Sequence, residues 1–144
     1  MAKFNVENEH VEVEIEKFYK FSPELVYEAW TKKDLLKQWF MTSARTNKEI
    51  EGIYESLVMD EYVKMTIGMP GLSETQDVIE VEFFERETGG TQMLFYYRSL
   101  VEKERRFTNL EYKQKKKEYH DAMVHGFELM FDKMYHVIET STQQ

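Results

Sequence analysis

Four histidines, His10, His120, His125 and His136, are the side chains best suited to proton transfer near neutral pH, and three of them fall in the last third of the chain. There Asp121, His125, Glu128, Asp132 and His136 recur at intervals of three and four residues. On a helix this spacing stacks carboxylates and imidazoles along one face, the arrangement a divalent cation or a proton relay would need. The same spacing also describes a solvated helix face supported by ion pairs. Because this face lies opposite an apolar stripe, the solvated reading is the one the pattern favours, and no metal site is expected. The chain has no cysteine, which excludes a thiolate nucleophile, a disulfide framework and a zinc–thiolate site. His-Glu-x-x-His, a nucleophile elbow and a phosphate-cradling glycine loop are all lacking from the sequence. The glutamates of the regular strands fall on the polar phase, so no inward carboxylate can be picked out by pattern. No catalytic residue and no cofactor are therefore expected. Two other groups of residues remain. One is a set of tyrosine hydroxyls, Tyr97 with Tyr54 and Tyr62, able to orient a bound molecule. The other is a basic run, Lys103, Arg105, Arg106, Lys113, Lys115, Lys116 and Lys117, set among four glutamates.

The elements that must position these residues are legible from periodicity. Val11, Val13 and Ile15 alternate with Glu12, Glu14 and Glu16, which is the period of a half-buried strand over His10–Lys17. At Ser22-Pro23 the period changes: Ser22 fits an N-cap, Pro23 a first helical position, and Glu24 the positive end of a helix dipole. Leu25, Val26, Ala29 and Trp30 follow at helical spacing. Thr31 with Asp34 predicts a capping box opening a second short helix over Lys32–Phe40. Strands are predicted over Ile53–Met59 and Tyr62–Met69, joined by a tight turn at Asp60-Glu61, with Met69-Pro70-Gly71 closing the second. Asp77–Phe84 and Thr91–Leu100 form a hairpin about Thr88-Gly89-Gly90. Thr42–Ile50 is ambiguous, a short edge strand at most. Further on, Tyr119, Met123, Phe127, Met130, Phe131, Met134, Val137 and Ile138 share one face of an amphipathic helix, and Thr108–Glu111 is a capping-box pattern that would start it about three turns earlier. Ser141–Gln144 reads as a frayed polar tail. With neither internal repeat nor linker, residues 1–144 are expected to form one α+β domain, a curved antiparallel sheet covered by a long C-terminal helix.

Ser22-Pro-Glu-Leu-Val-Tyr-Glu-Ala-Trp-Thr, followed by Leu35-Leu-Lys-Gln-Trp-Phe40, resembles the opening of the SRPBCC (START-like) superfamily, in the bacterial branch similar to the activator of the ninety-kilodalton heat-shock protein ATPase (AHSA-like). Val78–Phe83 and Gly89–Phe95 resemble that branch's late hairpin. Gly126-Phe127, Phe131, Met134 and Ile138 match the spacing of its last helix, with Phe127 where Trp is usual. The chain departs from the pattern in a short middle and in a longer, more charged stretch over Val101–Glu118. The resemblance implies a helix-grip fold, with two short helices after the first strand and an elongated apolar cavity between sheet and final helix. Members bind lipids, sterols, flavonoids or polyketides, and some are cyclases or hydrolases.

On this basis a small apolar molecule is the expected partner. Its pocket would be lined by Met65, Ile79, Val81, Phe83, Met93, Phe95 and Tyr97 from the sheet and by Met123, Phe127, Met130 and Met134 from the helix. Nine methionines suit an adaptable apolar surface, although the same side chains would equally serve as ordinary core. Two further classes stay open: a protein-interaction or co-chaperone-like module that uses Lys103–Lys117, and a cyclase-like enzyme. The net charge of −8 argues against nucleic acid as a partner. No apolar run is long enough for a signal peptide or a membrane span, and the lack of cysteine fits a reducing compartment, so a cytoplasmic location is expected.

Overall fold

The computed structural model describes residues 9–40, 51–68, 77–101 and 103–142. In chain order the elements are β1 (Glu9–Tyr19), α1 (Pro23–Thr31), α2 (Lys33–Trp39), β2 (Glu51–Val58), β3 (Tyr62–Gly68), β4 (Asp77–Glu85), β5 (Thr91–Val101) and α3 (Asn109–Thr142). The five strands form one open antiparallel sheet in the order β1-β5-β4-β3-β2. The strict alternation of β1 places Val11, Val13, Ile15 and Tyr19 in the core and Glu12, Glu14 and Glu16 in water. With one face of the sheet solvated, α1 and α3 pack on the other, and α2 packs on α1 and α3. This is the α+β helix-grip arrangement, with the two short helices following the first strand.

Local chemistry accounts for the joints. Ser22 is the N-cap of α1, through its backbone carbonyl, which accepts from Leu25 and Val26; its side chain makes no cap bond. The expected Thr31–Asp34 box does not form. Thr31 is still the last residue of α1, so its hydroxyl folds back to the Tyr27 carbonyl at 2.9 Å, and Lys32 supplies the cap of α2 through its own carbonyl. The β2–β3 turn is also longer than the expected Asp60-Glu61 pair. It takes Met59, Asp60 and Glu61, with Asp60 in the left-handed region at φ 63° and a hydrogen bond from Glu61 N to the Val58 carbonyl. In the β4–β5 turn, Gly90 runs against the carbonyl of Tyr19, where any Cβ would collide with backbone. That close approach joins the end of β1 to the hairpin, and Thr91 adds a buried hydrogen bond to the Phe21 carbonyl at 2.7 Å.

Helix α3 begins at the earlier of the two starts the sequence allows. Thr108 and Glu111 form a reciprocal capping box, each side chain accepting from the other's backbone N–H, at 3.1 and 3.2 Å. The helix then runs 34 residues, about 50 Å, through Ser141 and Thr142, part of the expected frayed tail. The Thr42–Ile50 segment and the Met69-Pro70-Gly71 turn lie outside the described residues. None of the described helices is long and apolar enough to cross a membrane.

Candidate functional site

Strand register assembles the interior row by row. Met65, Ile79 and Tyr97 lie side by side across β3, β4 and β5, followed by Val63, Val81 and Phe95, and then Phe83 beside Met93. All seven sheet residues expected in the pocket are buried on this inner face. From α3, Phe127 and Met134 are buried against them, while Met123 and Met130 are half-buried and pack on the same cluster. The eleven residues are thus brought to one interior.

Sequence reasoning missed what shares that interior. Trp30 and Trp39, from the two short helices, are fully buried, Trp30 between Phe95 of the sheet and Phe131 of α3 and Trp39 against Trp30 and Phe131. Their rings meet edge to face at 4.7 Å, and the Trp39 indole N–H donates to the Ala29 carbonyl at 3.0 Å. Trp30 stacks on Phe95 at 6.0 Å, Phe95 meets Phe127 at 4.6 Å and Phe131 at 5.0 Å, and Tyr97 meets Phe127 at 4.9 Å. These separations are those of packed aromatic pairs, so this part of the grip is occupied by its own side chains.

One end of the interior is polar. Asp77, at the start of β4, accepts from the Tyr97 hydroxyl at 2.5 Å and from the Ser99 hydroxyl at 2.7 Å. Tyr119 of α3 closes the ring, its hydroxyl 2.9 Å from that of Tyr97 and 3.1 Å from that of Ser99. Burial, reinforced by the hydrogen bond to Asp77, pushes the Tyr97 hydroxyl far above the ordinary tyrosine range, so it stays protonated and donates. The signal for this ring was available, because Asp77 and Ser99 sit on the inward phase of their strands, where apolar residues are the rule. The other two tyrosines play no part in it. Tyr54 donates to the Trp30 carbonyl, and Tyr62 donates to Glu80 on the outer face at 3.0 Å.

The residues with metal-ligand spacing are spread along the exposed side of α3. Asp121 pairs with Lys117 at 2.8 Å and with His120 at 3.1 Å, and Glu128 pairs with Lys17.

The basic run divides between the loop before α3 and the first half of that helix. Between Asn109 and Gly126 only Tyr112 is buried. Its hydroxyl donates to the Val101 carbonyl at 2.5 Å and accepts from Glu9 N at 2.8 Å, tying the arm to the end of β5 and the start of β1. Lys116 pairs with Glu9, Arg106 with Glu104 at 2.5 Å, and Lys115 with Glu118 at 3.9 Å. Leu110 is 74% exposed, one turn before Lys113. An open groove of about 740 Å³ lies away from both regions, between the α1–α2 joint and the end of α3, lined by Leu25, Glu28, Lys32, Leu35, Ser141 and Thr142 among others.

Comparison with known proteins gives concordant results. The family model described as activator of Hsp90 ATPase homolog 1-like protein matches residues 20–52 and 43–139. A protein of unknown function from Staphylococcus aureus is 84% identical and superposes with a TM-score of 0.87, over 97% of this chain and 100% of that one. A Mesorhizobium loti protein shares the fold at 13% identity and a TM-score of 0.67, covering 90% of this chain and 97% of its own. A Chromobacterium violaceum protein does so at 12% identity and a TM-score of 0.62, covering 90% and 97%. No curated protein matches the chain.

Proposed function

Since the chain belongs to the family of activator of Hsp90 ATPase homolog 1-like proteins, we propose that it is a protein-interaction module, co-chaperone-like in kind, that contacts its partner through the basic first half of α3. The observation that carries this reading is the contrast between the two regions. The interior is taken up by interlocking rings, whereas residues 103–117 carry seven cations against two carboxylates in a chain of net charge −8. Lys113 and Lys117 are like charges four residues apart on α3, which is unfavourable for the isolated helix, and the arm's exposed ion pairs contribute little and exchange readily. An acidic partner surface would relieve both costs. The test is photo-cross-linking in cells from Leu110 and from Lys113, with Asp132 on the far half of α3 as control. One and the same protein captured from both arm positions, and lost from the Leu110 position in a Lys113→Glu, Lys117→Glu background, supports the proposal. Adducts no different from those at Asp132 would sink it.

A second reading is favoured by the Asp77–Tyr97–Tyr119–Ser99 ring. A few convergent polar groups in an apolar interior are the usual makings of a small-molecule site. A carrier or sensor of a lipid, sterol, flavonoid or polyketide-like molecule would place an oxygen of the ligand in this ring and repack Met65, Met123 and Met130 around the rest. A thermal-shift screen against those classes discriminates, since saturation at about 100 times the dissociation constant stabilises a fold by about 2.7 kcal/mol.

A further inference from the structure

The outer face of the sheet carries a second surface, opposite in character to the arm. Glu12, Glu14 and Glu16 of β1 and Glu80 and Glu82 of β4 point outward, with only Lys64 and Arg98 among them on β3 and β5. Lys64 is itself engaged by Glu55 and Glu80. At one end of this face the polar pattern fails. Phe18 (53% exposed), Phe84 (44%), Val58 (44%) and Met59 (76%) all lie at the end of the sheet where β1, β2 and β4 finish. Register places Phe18 and Phe84 on either side of Gln92, one row from Glu16, Leu94 and Glu82. Arg86 of the β4–β5 turn lies over the Phe18 ring at 4.8 Å and Gln92 donates to Glu16 at 2.7 Å, yet the cluster remains exposed beside carboxylates, which suits a partner that is both apolar and basic.

The arm of α3 has that composition. Leu110, Lys113, Gln114 and Lys117 recur at helical spacing on its exposed side, and Lys113 and Arg105 make no ion pair with a described residue. The arm cannot reach the patch of its own chain. Tyr112 holds it beside Glu9 and Val101, at the opposite end of β1 from Phe18, which nine residues of strand place about 30 Å away. The complementary surfaces therefore sit at opposite ends of one molecule, so they can meet only between copies.

We infer that the protein self-associates head to tail, the arm of one copy lying on the outer sheet face of the next. Leu110 enters between Phe18 and Phe84, and Lys113 and Lys117 meet Glu14, Glu16 and Glu82. This inference rests on the reading of the arm as a contact surface, but it does not require the external partner. Such a contact is heterologous, so an open assembly built on it keeps a free arm at one end and a free face at the other. It is small and charge-driven, hence weak, dynamic and salt-sensitive.

The test is sedimentation velocity of the full chain from about 10 μM to about 1 mM, in low salt and again at about 0.3 M salt, a range suited to a small, screened interface. The weight-average sedimentation coefficient should rise with concentration in low salt and flatten in high salt. Lys113→Glu with Lys117→Glu, and separately Glu14→Lys with Glu16→Lys, should each weaken association by about 10-fold or more. Because the first variant keeps an intact face and the second an intact arm, an equimolar mixture should associate where neither does alone. A flat coefficient for the unmodified protein in low salt overturns the inference, and so does a mixture that stays silent. If self-association is absent while the arm cross-links still form, the arm reading stands and only the homotypic contact falls.

Discussion

Tyr97 and Tyr19 both lie on the inner face of the sheet, and replacing each with phenylalanine should move stability in opposite directions. The Tyr97 hydroxyl donates to Asp77 at 2.5 Å and meets Tyr119 at 2.9 Å, so Tyr97→Phe removes a bond to a carboxylate and opens the ring. A hydrogen bond to a charged group is worth about 1.5–3 kcal/mol. At about 3–4 °C per kcal/mol for a chain of this length, the melting temperature should fall by roughly 5–10 °C. The Tyr19 hydroxyl, in contrast, is buried with no hydrogen-bond partner among the described residues. Burial first, and then the charges of Glu128 and Asp132, push its pKa up, so it too is held protonated. Deleting an unsatisfied buried hydroxyl relieves about 1–3 kcal/mol of desolvation cost, which would raise the melting temperature of Tyr19→Phe by roughly 3–10 °C. Thermal melts at pH 7, followed by circular dichroism, measure both shifts, and an unchanged m-value in a parallel urea titration shows that neither change alters compactness. Should Tyr19→Phe prove the more destabilising of the two, the polar accounting of this interior is wrong.

Two other outcomes follow from the same interior. Phe127→Ala removes a fully buried ring that touches Phe95 and Tyr97, and should cost about 3–5 kcal/mol; Leu129→Ala, two residues on and 53% exposed, should stay within about 0.5 kcal/mol in the same urea titration. Stability should also fall in alkali. The hydroxyls of Tyr19 and Tyr97 are raised above the ordinary range, chiefly by burial, and that of Tyr62 is pushed up to about 12 by desolvation and its bond to Glu80. A raised folded pKa means that the folded state binds the proton more tightly. Its contribution is therefore complete below the unfolded tyrosine value of about 10 and is lost as pH rises through the folded values. Urea midpoints should be flat from pH 8 to about 10 and decline above it, less steeply in Tyr97→Phe; a midpoint that holds at pH 11 counts against the buried-tyrosine account.

The parts of this fold that could be read in the sequence are those in which one periodicity decides one burial pattern. The Val–Glu alternation of β1, the Gly89-Gly90 turn and the Thr108–Glu111 capping box each specify local geometry without help from elsewhere, and each is present in the structure. The failures lie where a local signal competed with chain context. Thr31 had the residue type of a cap but lay within a helix that had not yet ended, so its hydroxyl turned to Tyr27. Met59 continues the expected strand from Ile53, yet the left-handed Asp60 draws it into the turn and leaves it 76% exposed.

The interior shows the same division on a larger scale. Strand alternation identified which sheet residues face inward, but it carries no information about what fills the space they face. That depends on Trp30, which reaches the sheet only because α1 folds back across it, a contact between segments some sixty residues apart in the case of Trp30 and Phe95, and on Trp39, which α2 sets against Trp30 and Phe131. Once two indoles and three phenyl rings interlock there, an inward-facing residue no longer implies a cavity, and the apolar lining loses its force as evidence for a ligand. The polar exceptions then carry more weight than the apolar majority. Asp77 and Ser99 break the inward pattern, Phe18 and Phe84 break the outward one, and the arm breaks the charge of the whole chain. Each departure costs the isolated fold something that packing does not require, and so the search for function belongs at these places.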